Sequence, residues 1–553
     1  MRPLDWVVLA SWLVLLIGFG LWRARGSSTV NQYLLAGKTM PWYAMGLSIM
    51  ATQAGALTFI STTGQGYSDG MRFVQFYFGL PIAMVIICAT AAPIFHRAKV
   101  YTAYEYLEKR FDAKTRALVT AVFLIERGLS AGIALAAPAI VLSVILKMPF
   151  TLTTVIMGAI IVIFTTFGGI KAITWADVPQ MIVIMCALIL ALTVAINLLP
   201  PDVSFGDALR LAGAAGKLNP ITTTFDWKDR FNIWSGVIGG AFLMLAYFGT
   251  DQSQVQRYLT GKSIGQSRLS LLFNAMAKVP MQFLILFIGA MVFVFYLYER
   301  PPLMFHPVEA ERISTAPALP GIESRYSSAF EQRRNAANRL KDARDETATA
   351  GALADFRSAQ KGFDAARAEA RKLAKEDDRD YVFLTFVTTH LPMGIVGLVL
   401  AVIFTAAMSS ISGEINSLAT VSVIDVYRRH INPDGTDRHY LMASRIATAF
   451  WGVFATAFAS YAQNIGSLIV AVNQVGSLFY GGMLGVFVLA FGFKRVGGDA
   501  AFTGVIAGEL VIFAVARYTS ITFLWFNVIG CLVVIAVALM FPKKTNLAAN
   551  ERE

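Results

Sequence analysis

The chain has 553 residues, 56% of them hydrophobic and only 15% charged, with a net charge of +12. Soluble domains carry about 25% charged residues, so a soluble protein of this length is excluded. Apolar runs of about twenty residues, each long enough to cross a bilayer, recur from end to end. Barrel strands would instead alternate in segments of about ten residues. The fold class is therefore an all-α polytopic membrane protein. The basic excess needs no nucleic-acid partner, because it gathers in short loops. Cys88, Cys186 and Cys531 lie in apolar spans and read as small hydrophobes rather than disulfides or metal ligands.

The spans fall near 5–22, 43–67, 76–97, 116–145, 149–168, 178–199, 232–257, 271–298, 385–425, 440–463, 467–493, 500–517 and 521–541, about thirteen transmembrane helices. The first is read as a retained span, since it lacks the layout of a cleaved signal. Arg23, Arg25 and Lys38 follow span one. His96, Arg97, Lys99, Lys109, Arg110 and Lys114 follow span three. Arg257, Lys262 and Arg268 follow span seven, Arg428, Arg429 and Arg438 follow span nine, Lys494 and Arg495 follow span eleven, and Lys543 and Lys544 end span thirteen. These loops share one side, which the positive-inside rule makes cytoplasmic. The expected location is the cell (inner) membrane, with the N-terminus extracytoplasmic and the C-terminus cytoplasmic. The chain divides into a first part of the bundle (1–298), a hydrophilic extracytoplasmic insert (299–384) and a second part (385–553). The insert is rich in Ala with mixed charge and predicts a helical hairpin. Its role is open between a solubilising spacer and a partner-binding or gating element.

Polar residues inside spans are costly and point to function. The second span, GLSIMATQAGALTFISTTGQGY, carries Gln53 and Gly55 at mid-depth. The seventh carries Gly239, Gly240 and Gly249. In the ninth, Ser409, Ser410, Ser412, Glu414 and Asn416 interrupt an apolar stretch. The glycines serve either close helix packing or local unwinding that frees carbonyls for a cation. Two adjacent hydroxyls, Ser409 and Ser410, facing the carbonyls of Ala51 and Ala54 would make an all-oxygen site suited to a hard cation. Asp177 is either a cap at the cytoplasmic surface or a carboxylate satisfied by a cation or a lysine. Lys278 lies about ten residues into its span, too deep to snorkel easily. Glu126 and Arg127 are adjacent in a helix, so each is expected to find a partner elsewhere. No phosphate-binding glycine loop and no His/Cys metal spacing is present, and only five histidines occur. The chain is therefore not expected to be an enzyme, and an ion gradient is the energy source that remains.

The motifs NQYLLAGKTMPW, GGIKAITWADVPQ, DQSQVQRYL and AAMSSISGEINSLATVSVIDVYRR resemble those of the sodium:solute symporter family, and the resemblance covers nearly the whole chain outside the insert. It implies a LeuT-type 5+5 inverted-repeat helical bundle with a central site between broken helices. It further implies sodium-driven import of a small polar solute (a sugar, sugar acid or amino acid) by alternating access, with Na+ as the coupling ion. The sodium ligands would be the carbonyls of Ala51, Ala54 and Ala406 and the hydroxyls of Ser409 and Ser410, with Asp177 nearby. The solute would meet Gln53, the aromatic gate Tyr247 with Phe248, Lys278 and Asn473. A carboxylated solute would call on Arg127, which stands about a turn from the family's arginine. A second sodium would use Asp177 and Ser412, but Gly413 supplies no oxygen there. Leu57 and Met244 stand where a galactose-type site has an acidic residue and an amide. Proton coupling through Asp177 or Glu126 is the nearest rival; a channel and a transporter-like sensor are further ones.

Overall fold

The computed structural model describes residues 2–26, 28–146, 148–374, 378–462 and 468–541. Lys543, Lys544 and the tail beyond them lie outside the described residues. Every predicted span falls on helix. α1 (Pro3–Ala24) is followed by α2 (Trp42–Gln53) and α3 (Ala56–Asp69). Next come α4 (Leu80–Ala89), α5 (Ala91–Ala98), α6 (Ala113–Leu146) and α7 (Phe150–Asn197). The second half begins with α8 (Gly240–Gly249), α9 (Gln252–Leu259) and α10 (Ile264–Tyr298). The insert supplies α11 (Leu319–Asp342) and α12 (Glu346–Leu373). Then follow α13 (Val382–His390), α14 (Ile395–Val421), α15 (Asp437–Ala462), α16 (Leu468–Gly492), α17 (Gly498–Tyr518) and α18 (Leu524–Met540).

Four of the spans are interrupted: the third at Thr90, the ninth at Leu391–Gly394, and two near glycines singled out for possible unwinding. The second splits at Ala54–Gly55 into α2 and α3, and the seventh splits at Thr250–Asp251 into α8 and α9. Each of these last two pairs opens a set of five spans, as the 5+5 reading expects. The fifth and sixth spans form one helical run, α7, interrupted at Gly169 with φ +57°. A side chain there would also strike the ring of Tyr33, so only glycine fits.

Burial separates the layers. α14 lies at the centre, with nearly every residue buried. α1 and α15 show the outward apolar rows Val7, Val14, Leu15 and Ile446, Phe450, Val453, which suit lipid. α1 is tied to the start of α14 through Asp5, whose carboxylate accepts from the backbone N–H of Gly394 at 2.7 Å and Gly397 at 3.2 Å. α3 and α10 approach so closely that a Cβ on Gly66 would strike the Leu286 carbonyl and one on Gly289 the Thr63 carbonyl. Gly289→Val should therefore push these helices apart. Overpacking of this kind costs about 1–3 kcal/mol, so a drop in Tm of the purified protein is the expected result.

The insert is the helical hairpin its composition predicts, but it is not a detached spacer. Tyr326, Phe330 and Phe363 bury between its helices. Arg333 donates to the Tyr296 carbonyl at the end of α10, and Arg210 donates to the carbonyl of Ala343 at 2.9 Å. Tyr67, at the end of α3, packs edge-on against Phe293, Tyr296 and Phe305.

Candidate functional site

The break between α2 and α3 exists because Gly55 starts α3 in extended backbone, φ −69° and ψ 177°. It ends the α2 hydrogen-bond ladder at Ala54, whose N–H donates to the Met50 and Ala51 carbonyls. Ser410, on α14, points at that end: its Oγ donates to the carbonyls of Thr52 at 3.0 Å and Ala51 at 3.3 Å. A Cβ built on Gly55 would sit 2.8 Å from Ser410 Oγ and 4.0 Å from the Ala406 carbonyl oxygen. Ser410, Ala51 and Ala406 therefore converge beside the break at Ala54, a set of oxygens of the kind a hard cation takes.

Ser409 departs from the expected pairing. Its hydroxyl donates to Asp177 Oδ1 rather than facing the α2 carbonyls. Asp177 is wholly buried, which overturns its reading as a surface cap. Its Oδ2 accepts from Ser48 at 2.5 Å and from Arg257 Nη1 at 3.0 Å. Arg257 also departs from expectation: counted among the cytoplasmic loop charges, it is 1% exposed and reaches back from α9 into the bundle. Its guanidinium lies against Gly413, where any Cβ would collide with it. The neighbouring Ser412 Oγ is buried with no hydrogen-bond partner. The place beside Asp177 where a second cation would be sought is thus filled by a fixed one.

A cavity of about 110 Å³ opens on the other side of Ser410. Gln53, Tyr247, Asn473 and Arg127 line it, with Leu57 and Met244 supplying apolar wall. Gln53 Oε1 is buried with no hydrogen-bond partner among the described residues, and the Asn473 amide donates to the Ile469 carbonyl at 2.7 Å. The Tyr247 hydroxyl accepts from Gln254 at 2.7 Å. Phe248 and Lys278 do not line the cavity. Phe248 backs Tyr247 in an edge-on pair with centroids 5.0 Å apart. Lys278 stands behind the break, donating to the Gln53 carbonyl at 3.2 Å, with its ammonium 5.5 Å from the Tyr77 ring.

Arg127 is already occupied. It donates to Asp251, to the Tyr480 hydroxyl and, at 3.2 Å, to Glu414. Glu126 Oε2 lies 3.5 Å from its Nε, so the adjacent pair does meet at ion-pair distance; Ser130 donates to the other Glu126 oxygen at 3.0 Å. Three carboxylates thus surround one guanidinium at the base of the cavity. Sequence reading missed Asp251 and Tyr480 here. The one signal available was that a deep arginine requires counter-charges.

The comparisons fit this geometry. The family model of the sodium:solute symporters matches residues 33–313 and 364–508. The chain belongs to the sodium:solute symporter family: it is a multi-pass, sodium-coupled membrane transporter of small polar solutes, and not an enzyme. It is 25% identical over 514 residues to a sodium/glucose cotransporter of Vibrio parahaemolyticus, covering 91% of this chain and 83% of that protein. It is 24% identical to the sodium/sialic acid symporter NanT of Aliivibrio fischeri, covering 99% and 95%. A solved Na+-coupled sialic acid symporter, in a substrate-bound outward-open state that reveals a novel Na+ site, superposes with a TM-score of 0.76 at 23% identity, covering 98% of this chain and 99% of that one. That likeness establishes the LeuT-type fold.

Proposed function

We propose that this transporter imports a neutral or zwitterionic polar solute together with one sodium ion per cycle. The observation that carries the reading is the meeting of Ser410 with the carbonyl end of α2 at the wall of the central cavity. Sodium bound there, by the carbonyls of Ala51, Ala54 and Ala406 and the hydroxyl of Ser410, joins the α2–α3 break to α14. The solute lies against the same break, so each ligand organises the other's site, which is the basis of coupling.

Gln53 and Asn473 are the hydrogen-bonding readers of the solute, and Tyr247 with Tyr480 closes the inner side. Phe248 and Lys278 act through what they support: Phe248 fixes the Tyr247 ring, and Lys278 holds the Gln53 carbonyl. Arg127 is neutralised by Asp251 and Glu414, so a carboxylated solute would have to displace one of them. This favours a solute without net negative charge. Asp177 tunes the sodium site through Ser409, while Ser412 lacks the partners for a second ion. The protein lies in the cell (inner) membrane, N-terminus outside and C-terminus inside, following the basic loops.

One Na+ crossing ~100 mV yields about 2.3 kcal/mol, and a tenfold gradient adds about 1.4. Together they support roughly 500-fold accumulation of a neutral solute. A thermal-shift screen of sugars, amino acids and sugar acids, with and without Na+, identifies the solute. Stabilisation only by sugar acids would contradict the reading of Arg127. With the solute in hand, Gln53→Ala and Asn473→Ala should each weaken its binding about tenfold, the cost of one lost hydrogen bond in a desolvated site. Sodium binding measured without solute should stay within twofold of wild type.

A further inference from the structure

A second cavity, of about 190 Å³, lies between the helical hairpin and the ends of α3 and α10. Four cations border it: Lys217, Arg333, Arg367 and Arg371. The stretch outside the family match, 314–363, supplies Arg333, Gln360 and Phe363, so this cavity is a feature of the insert rather than of the common fold.

Among the described residues, the cavity lining holds four cations and one carboxylate. Asp364 faces the cavity, with one carboxylate oxygen taken by Gln360 at 2.9 Å. Asp378 sits behind it and accepts from Arg367 and Arg371, each at 2.6 Å. Asp69 acts on Lys217 only through space. Among the described residues, four cations thus meet three carboxylates, and only one of those carboxylates lines the cavity. Arg333 is 1% exposed, its guanidinium carbon lies 3.6 Å from the Phe363 ring centroid, and its Nε has no hydrogen-bond partner among the described residues. Arg371 Nε is likewise buried, with no hydrogen-bond partner among the described residues. Burial lowers the Lys217 ammonium and pushes the Arg333 guanidinium down to about 10. A bound anion would reverse that penalty.

We propose that this cavity is a binding site for a small oxyanion, held by Arg333, Arg371 and Lys217. Guanidinium forks match the paired oxygens of carboxylate, sulfate and phosphate, and three guanidinium groups and one ammonium line this cavity. The site touches Tyr67 and Ser68 at the end of α3, the second half of the broken helix. Anion binding therefore clamps the hairpin onto the element that carries the α2–α3 break.

The test is equilibrium binding of [35S]sulfate to the purified full-length protein, at ionic strength held constant with sodium chloride. Saturable binding of one sulfate per chain is expected. Arg371→Gln combined with Lys217→Gln should weaken it at least tenfold, as loss of two charge-assisted contacts requires. Asp364→Asn removes an exposed carboxylate from the cavity and should tighten binding. Because that change has the opposite sign and a safe position, it keeps the test decisive if the double variant folds poorly. Displacement by inorganic phosphate, by acetate, or by both supports the site and tells which source fills it. Absence of saturable binding, or the same affinity in wild type and Asp364→Asn, overturns the proposal.

Discussion

Ser410→Ala raises the sodium concentration for half-maximal uptake about tenfold and leaves the amount of protein in the membrane close to wild type. The hydroxyl contacts two carbonyls at the end of α2, and losing one oxygen ligand of this kind costs about 1–2 kcal/mol. Alanine is well accepted within helices, and Ser410 lies in the interior of α14, so folding is spared. Ser409→Ala tests the other half of the serine pair. Its hydroxyl serves Asp177, so its effect on sodium affinity should be the smaller of the two. Sodium titrations of initial uptake rates give both numbers, and an unchanged sodium dependence in Ser410→Ala would remove this residue from the site.

The second large effect concerns stoichiometry. Arg257 neutralises Asp177 and occupies the space beside Gly413. Removing one member of a buried ion pair costs about 3–5 kcal/mol, so Arg257→Ala alone should destabilise the protein or recruit a cation to Asp177. Gly413→Ser alone should drive the new side chain into the guanidinium and depress transport. Combined, the two changes open the space and add the oxygen that Gly413 withholds, next to Ser412 and Asp177. The double variant should then move from one to two sodium ions per solute. That doubles the driving force, and the accumulation limit rises from roughly 500-fold to roughly 10^5-fold. Reversal potentials at varied sodium and solute gradients measure the ratio. A ratio of two in the wild type would refute the substitution of Arg257 for an ion.

Much of this arrangement was legible in the sequence because the membrane makes polar exceptions conspicuous. The helix breaks announced themselves through Gly55 and Gly249, and Ser410 through its place in an apolar span. Arg257 was not legible in the same way. It follows the seventh span, where a basic residue ordinarily marks the cytoplasmic surface, and only the path of α9 turns it inward. The need for it could be read from Asp177, a deep carboxylate lacking a counter-charge, but not its source eighty residues away. Lys278 was read as lying inside a span, and it is fully buried there; which wall it faces depends on how α10 packs against α2, and it meets the Gln53 carbonyl instead of the cavity. The hairpin was legible as helix from its alanine content. Its docking depends on Arg333 and Phe363 meeting across two helices, a pairing that no local pattern encodes.

Coupling to sodium through Ser410 is tested most directly by solute uptake into proteoliposomes, with the membrane potential clamped, pH equal on both sides, and the sodium gradient the only variable. Concentrative uptake is expected when sodium is high outside, none when sodium is replaced by potassium or choline, and none when an inward proton gradient is imposed without sodium. Concentrative uptake driven by the proton gradient in the absence of sodium would contradict sodium coupling.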